Sequence, residues 1–392
     1  MISSQPPAAA IAVEPLGFSA PGPIYEGQRD ALVSLDFLDE DTLLFTFRVP
    51  GLMRRDNKGG EQRQIRALVM ALPHGTVQAE ALWTLHDDAR YVWRLKDGRF
   101  LLRDLNQLRI GDASLELTPF LEFPGHVQWL GMDPDQTYLV TDSHEPEEAK
   151  QPAGHAASTA TTAGNVTAEN AGEPGRPDTV LRVLRRSTGK VMLVSHVRSV
   201  MRVPVNGEGY MESLRSTGRD WLLNLNYFGG GERVAGKIES LCTPNVEFFC
   251  EQAVLATVCT ENGGLGEVAM TTDGRKLWEN DMPLTHVWPK LVIAPGGQRI
   301  ARETLLVNRP INAFSPLSFE DVTGQQVEVF DSATGKLVLK VSASPVFDGG
   351  GNVALSPSGR RVAILDAGAI QVYELPKPPP APTETAEGSA AH

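Results

Sequence analysis

An all-β propeller of about seven four-stranded blades, closed in a ring, is the fold this sequence predicts, and three observations predict it. Apolar runs of five to eight residues recur along the chain, separated by Gly, Pro, Asn or Asp, with little helical periodicity. Those runs pair into hairpins of one rhythm: apolar strand, acidic or glycine turn, second apolar strand. The last such unit stops after its third strand, while an orphan apolar segment stands near the other end of the chain.

The hairpins carry the argument in order. Val33–Phe37 and Leu43–Phe47 flank Asp39-Glu40-Asp41, and Val127–Gly131 and Tyr138–Thr141 flank Asp133-Pro134-Asp135. Lys290–Ile293 and Arg299–Arg302 flank Pro295-Gly296-Gly297, and Asn352–Leu355 and Arg361–Leu365 flank Ser356-Pro357-Ser358-Gly359. Laid along the chain, the rhythm gives blade starts near Arg29, Tyr91, His126, Val203, Asn245, His286 and Gly351. Each blade then takes roughly 47 residues, close to the period of known propeller repeats. The final blade ends with the strand Ala369–Leu375, and Ala10–Phe18 has no hairpin partner of its own. The N-terminal segment is therefore expected to complete the last blade and leave no open sheet edge in the ring.

Residues 10–376 are read as one propeller domain. Two segments stand outside it: 145–178, an insertion within the third blade, and the tail 377–392. Both are nearly free of large apolar side chains, so neither buries enough surface to offset its ordering entropy, and both are expected to be disordered. Asn165-Val166-Thr167 inside the insertion is a chance glycosylation sequon.

Composition narrows the partners. The formal net charge of −12 repels phosphate backbones, so nucleic acid is not an expected partner. The densest basic clusters, Met53-Arg54-Arg55 and Arg182 to Arg186, read as a solvated loop and an exposed strand face. No apolar run reaches the ~18 residues a membrane helix needs, so no membrane span is expected. The first twenty residues contain no basic residue and are broken by Pro6-Pro7, unlike a secretion signal.

Three cysteines lie close together. Asn245–Cys250 and Ala253–Cys259 read as two strands joined near Glu251-Gln252, which brings Cys242 and Cys259 to the open end of one hairpin and leaves Cys250 at its turn. Cys242–Cys259 is thus a candidate disulfide, the alternative being three separate thiols. With the character of the insertion, that pairing tilts the expected location to an extracytoplasmic one, periplasmic or secreted, over the cytoplasm.

Some stretches resemble a known family. Gly125-His126 followed by VQWLGMDPDQTYLVTDS is similar to the opening of a WD-type repeat. NVALSPSGRRVAILDAGAIQVYEL, Asn352–Leu375, resembles the same repeat through its third strand, with Tyr373-Glu374 in place of the usual Trp-Asp. QVEVFDSATGKLVLKV, Gln326–Val341, matches the third strand, turn and fourth strand, with Phe330-Asp331 at the dipeptide. Thr272-Asp273-Gly274 with Trp278 is similar to the quinoprotein repeat. The resemblance, which covers about a third of the chain, implies a degenerate propeller of WD-like or quinoprotein-like type.

Signatures of chemistry are sparse. The sequence has no Gly-x-Ser-x-Gly elbow, no His-Glu-x-x-His and no Cys-x-x-Cys. Gly264-Leu265-Gly266 to Ala269 fits a dinucleotide pattern, but no helix follows it to hold a pyrophosphate. No cofactor and no metal site is therefore expected, and no catalytic residue is assigned. His126, His196 and His286 each precede a valine near a blade junction, as channel-mouth groups or as histidines that fix their own blades. Arg202, Arg219, Asp220, Trp221, Tyr227, Trp129 and Trp288 are candidates for a rim surface, or for packing between blades. The expected function is a monomeric, non-catalytic binding or scaffold module for a protein or peptide partner. The alternative is a hydrolase, lactonase or quinoprotein-like oxidoreductase acting at the mouth of the central channel.

Overall fold

Strands dominate because β-branched and aromatic residues alternate between turns too short for helices. The structure is a computed structural model, and it describes residues 6–20, 33–51, 54–55, 60–86, 90–145, 178–197, 201–313 and 315–382. The body of the 145–178 insertion and the tail beyond Pro382 lie outside the described residues, as does the expected blade start near Arg29.

The described strands form seven antiparallel sheets, the blades of a propeller. Blade 1 runs from the channel outward through β2 (Val33–Phe37), β3 (Thr42–Arg48), β5 (Glu61–Ala71) and β6 (Thr76–Leu85), with β4 (Arg54–Arg55) paired to the start of β5. Blade 2 comprises β7 (Val92–Arg94), β8 (Phe100–Asp104), β9 (Gln107–Gly111) and β10 (Leu117–Glu122). Blade 3 comprises β11 (His126–Met132), β12 (Tyr138–Glu145), β13 (Asp178–Arg185) and β14 (Lys190–Val197). Blade 4 holds β15 (Gly209–Arg215), β16 (Asp220–Tyr227) and β17 (Glu232–Glu239). Blade 5 holds β18 (Asn245–Cys250), β19 (Ala253–Cys259), β20 (Leu265–Thr271) and β21 (Lys276–Asp281). Blade 6 holds β22 (His286–Ile293), β23 (Arg299–Val307), β24 (Val322–Asp331) and β25 (Leu337–Ala343). Blade 7 is β26 (Val353–Leu355), β27 (Arg361–Asp366), β28 (Ala369–Glu374) and, on its outside, β1 (Ala9–Ala12).

Blade 4 departs from the regular pattern. Its innermost position is filled by residues 201–205, which make a single bridge, Val205 to Tyr210. Pro204 has no N–H to give a ladder, though its carbonyl accepts the Met211 N–H at 2.9 Å. The segment is pinned from the neighbouring blade instead, where buried Asp142 accepts the Met201 N–H at 2.5 Å.

The core is divided among the gaps between blades. Leu44, Trp83, Tyr91 and Phe100 fill the gap between blades 1 and 2, and Trp93, Leu101, Val127 and Leu139 the next. Met211, Trp221, Phe248 and Val268 join blades 4 and 5, and Val329, Leu355 and Ile364 join blades 6 and 7. A propeller of this length thus avoids one oversized core by stacking faces of modest size.

Ring closure has two parts. β1 pairs antiparallel with β28 in the register Ala9 to Val372 through Ala12 to Ala369. Ile11, Val13 and Phe18 then enter the core shared by blades 7 and 1, where Phe18 meets Phe47 edge-on with ring centroids 5.5 Å apart. On the channel side the Glu40 carboxylate accepts the Ser358 N–H at 2.6 Å and its hydroxyl at 2.9 Å. Gly351 sits in the same seam at φ +98°, where an added Cβ would lie 2.2 Å from the Val33 carbonyl oxygen, so only glycine lets the two blades approach this closely.

Removing residues 1–20 deletes the closing strand and the Ile11, Val13 and Phe18 side chains. The truncated chain is expected to melt at least several degrees below the full chain, as followed by circular dichroism. Equal melting temperatures would mean that the seam does not hold the ring.

Candidate functional site: one mouth of the central channel

Inner strands all run the same way, so their first residues surround one mouth of the channel and the turns that follow them surround the other. At the turn mouth the turns are bonded to one another. Glu251, at the turn of blade 5, accepts the Gly207 N–H of blade 4 at 2.5 Å and the Asp135 N–H of blade 3 at 3.2 Å. Lys96 of blade 2 reaches Asp135 at 2.6 Å, and its N–H reaches the Gln136 side chain at 2.6 Å. Gly297 of blade 6, at φ +73°, lies so close to the Phe249 carbonyl that a Cβ would sit 2.4 Å from it. Beyond the last blade, the Pro376 carbonyl accepts Arg299 Nη2 at 2.6 Å and the Pro382 carbonyl accepts Cys250 Sγ at 3.5 Å, so this segment reaches from blade 7 to the turn of blade 5. Carboxylates crowd here: burial pushes Asp133 up to about 6, with nearby Glu251 adding to the rise.

The opposite mouth carries the charges of interest. Arg90 stands just before β7 in blade 2, Arg202 just before the bridge of blade 4, and Lys290 within β22 of blade 6. Glu247 on β18 feels all three: burial raises its carboxyl, while Arg202, Lys290 and Arg90 pull it down. Glu303 on β23 feels Lys290 and Arg90, and Asp36 on β2 is raised by burial against the pull of Arg90 and Arg94. Among the described residues, none of Arg90, Arg202, Lys290, Glu247 and Glu303 stands in an ion pair.

The backbone aims Lys290 at this point. The β22–β23 register shifts between Val287 and Lys290, and Trp288 within that bulge has φ +50°, a left-handed conformation uncommon for a bulky residue. The bulge sets Lys290 directly opposite Glu303. Gly350, at φ +73°, covers both: an added Cβ would lie 3.1 Å from Glu303 Oε2 and 3.7 Å from Lys290 Cγ. Glu303 is 1% exposed; its Oε2 accepts Gln325 Nε2 at 3.3 Å and its Oε1 has no partner. Burial pushes Glu303 up to about 8 against the pull of Lys290 and Arg90, and burial lowers Lys290 with Arg202 adding to the fall.

The residues singled out in the sequence are dispersed. His126 and His286 open the inner strands of blades 3 and 6, His126 Nδ1 lying 3.0 Å from Gln128 Nε2 and His286 Nε2 lying 3.1 Å from Gln326 Nε2. His196 is exposed on outer strand β14. No group of three metal-ligating side chains occurs among the described residues. Arg202 is exposed just before the inner bridge of blade 4, and Trp288 forms the bulge that sets Lys290 opposite Glu303. Trp129 lies on inner strand β11, packed at the gap between blades 3 and 4, and Tyr227 packs at the gap between blades 4 and 5. Arg219 pairs with Glu261, Asp220 pairs with Lys237 at 2.8 Å, and buried Trp221 donates to the Ser240 carbonyl. Cys242 and Cys259 are joined in a disulfide with Cα atoms 5.5 Å apart, and Cys250 is a free thiol. Arg90, Lys290, Glu247 and Glu303 were not singled out by sequence, because no two of them are neighbours along the chain.

No protein-family model matches the chain, and no curated protein matches it. Solved structures do. Acylaminoacyl peptidase of Pyrococcus horikoshii aligns at 9% identity and a TM-score of 0.49, over 89% of this chain and 52% of that one. The chain thus spans about half the length of the peptidase. The β-propeller domain of the trilobed protease of Pyrococcus furiosus aligns at 9% identity and a TM-score of 0.47, over 88% and 94%. TolB of Acinetobacter baumannii aligns at 10% identity and a TM-score of 0.39, over 85% and 81%. At such identities the likeness concerns the fold.

Glu303 makes a pH-dependent contribution to stability. A glutamate in the unfolded chain titrates near ~4.3, so between that value and about 8 the folded chain holds the proton more tightly. Stability from this group is complete below the unfolded value and is lost as pH rises through the folded one. The Glu303→Gln chain is expected to gain in melting temperature over the parent as pH rises from about 5 to about 8.5. A difference independent of pH would remove Glu303 from this role.

Proposed function

We propose that the protein is a binding module whose open channel mouth docks a protein or peptide partner. One observation carries this reading. Arg90, Arg202, Glu247 and Lys290 lie on or beside the inner segments of blades 2, 4, 5 and 6, with Glu303 opposite Lys290, and none of the five stands in an ion pair among the described residues, while the turns at the other mouth are bonded to one another. A rigid ring presenting preorganised charges loses little entropy on binding, which favours recognition at that surface. The Cys242–Cys259 disulfide supports an oxidising, extracytoplasmic setting for the encounter.

The rival reading, an enzyme at the same mouth, draws on Glu303 and Lys290, whose opposite shifts in one cleft are the kind found among general acids and bases.

Affinity capture with the full chain from its native host, followed by hydrogen exchange on the complex, tests the module. A stoichiometric partner that protects residues 90–94, 201–205 and 286–290 is the expected result. Recovery of no partner together with a stoichiometric metal, or with turnover lost in Glu303→Gln, would overturn it.

A further inference from the structure

We propose that residues 376–382 form a strap that lies across the turn mouth, covers the free thiol of Cys250 when seated, and lifts without unfolding the ring. Composition dictates how such a segment can be held. Five of these seven residues are proline, so the strap offers carbonyls but almost no N–H groups, and whatever fastens it must donate. Two donors do so. Arg299 is fully buried at the start of β23, where Nη1 meets Asp331 and Nη2 donates to the Pro376 carbonyl at 2.6 Å. At the other end, Cys250 Sγ donates to the Pro382 carbonyl at 3.5 Å, across 132 residues of sequence. A proline run favours an extended helix rising about 3.1 Å per residue, so the strap is a stiff rod of up to about 19 Å between its anchors.

The seating is one-sided. Pro378, Pro379, Ala381 and Pro382 are half-buried, whereas Pro376, Lys377 and Pro380 are exposed. No described strand pairs with the segment, in contrast with β1, which is laddered to β28. Stiffness lowers the entropy lost on seating, and the lack of a ladder leaves few bonds to break on lifting. Cys250 is half-buried at the end of β18, beside Gly297 of blade 6, where an added Cβ would stand 2.9 Å from Cys250 Cβ. Blade 6 thus crowds the flank of this residue while the strap contacts its sulfur. Burial holds the thiol above its usual value and so in the protonated form that donates. Only the thiolate attacks disulfides, so a seated strap shields Cys250 from exchange in the setting where Cys242–Cys259 is formed.

Thiol labelling tests the strap. The full chain and a chain ending at Leu375 are mixed with dithiobis-nitrobenzoate, an aromatic disulfide that releases a coloured thiolate when a free thiol attacks it. Cys250 is the free thiol, so a Cys250→Ser chain sets the background. The shortened chain is expected to react at least about tenfold faster than the full chain. In the full chain the rate is expected to stay nearly constant at low urea, because lifting a strap exposes little surface. Circular dichroism checks that the shortened chain is folded. If it is not, the full chain carrying Pro378→Gly, Pro379→Gly and Pro380→Gly takes its place, its looser strap being expected to raise the rate several-fold. Equal rates in the parent and the folded variant would mean that the strap does not cover Cys250. A parent rate that climbs steeply with urea would mean that the thiol is reached only through unfolding of the ring. Either result overturns the proposal.

Discussion

Everything in this molecule depends on one seam. Blades stacked side by side generate an interface at each flank, and unless the first blade meets the last, two apolar faces and two edges stay exposed. The chain meets that constraint with four residue pairs between β1 and β28 and with a core built around Phe18, Phe45 and Phe47. The seam is reinforced on the channel side by Glu40, whose carboxylate holds Ser358 while its carbonyl accepts Arg361 Nη1 at 2.8 Å. The ring is therefore held both at its rim and at its centre, and the inner strands have a fixed geometry on which to place charge.

That fixed geometry is what makes the channel mouth chemically distinct. Elsewhere buried charges are matched in contact: Arg302 lies between Glu267 at 2.6 Å and Glu328 at 2.5 Å, and Arg182 reaches Glu145 at 2.6 Å. Such pairs offset their own desolvation and join neighbouring strands. At the mouth the same residue types face one another without contact, and burial shifts Glu303 and Lys290 in opposite directions, each towards its neutral form. The contrast within one protein separates charges matched in contact from charges without a partner in contact.

Much of the fold was legible in the sequence because the propeller repeats one local unit. Hairpin turns at Asp133-Pro134-Asp135 and Ser356–Gly359 announce themselves through turn chemistry, and inner strands begin at His126, Asn245 and His286, at the expected starts. The closing role of the orphan N-terminal segment followed from counting strands, although the paired strand itself is only Ala9–Ala12, and Val13 to Phe18 folds back as a turn. The irregular inner edge of blade 4 was less legible, since Pro204 breaks the ladder while its neighbours still read as apolar strand. The site was hardly legible at all. Arg90, Arg202 and Lys290 belong to no common motif, and only the ring sets the inner segments of their three distant repeats around one channel. The bulge at Trp288 is a backbone event that periodicity does not encode.

The pairing of Ala9 with Val372 also sets the order in which the molecule can be made. A contact between residues so far apart in sequence has a large loop-closure entropy and forms after the local hairpins. While the chain is being synthesised, the first blade waits with Val33, Leu35 and Phe37 uncovered until the last blade arrives. A ring that confers rigidity once closed is thus vulnerable for most of its assembly. Until that closure the horseshoe carries an unpaired sheet edge at β28 and an uncovered apolar face at each end.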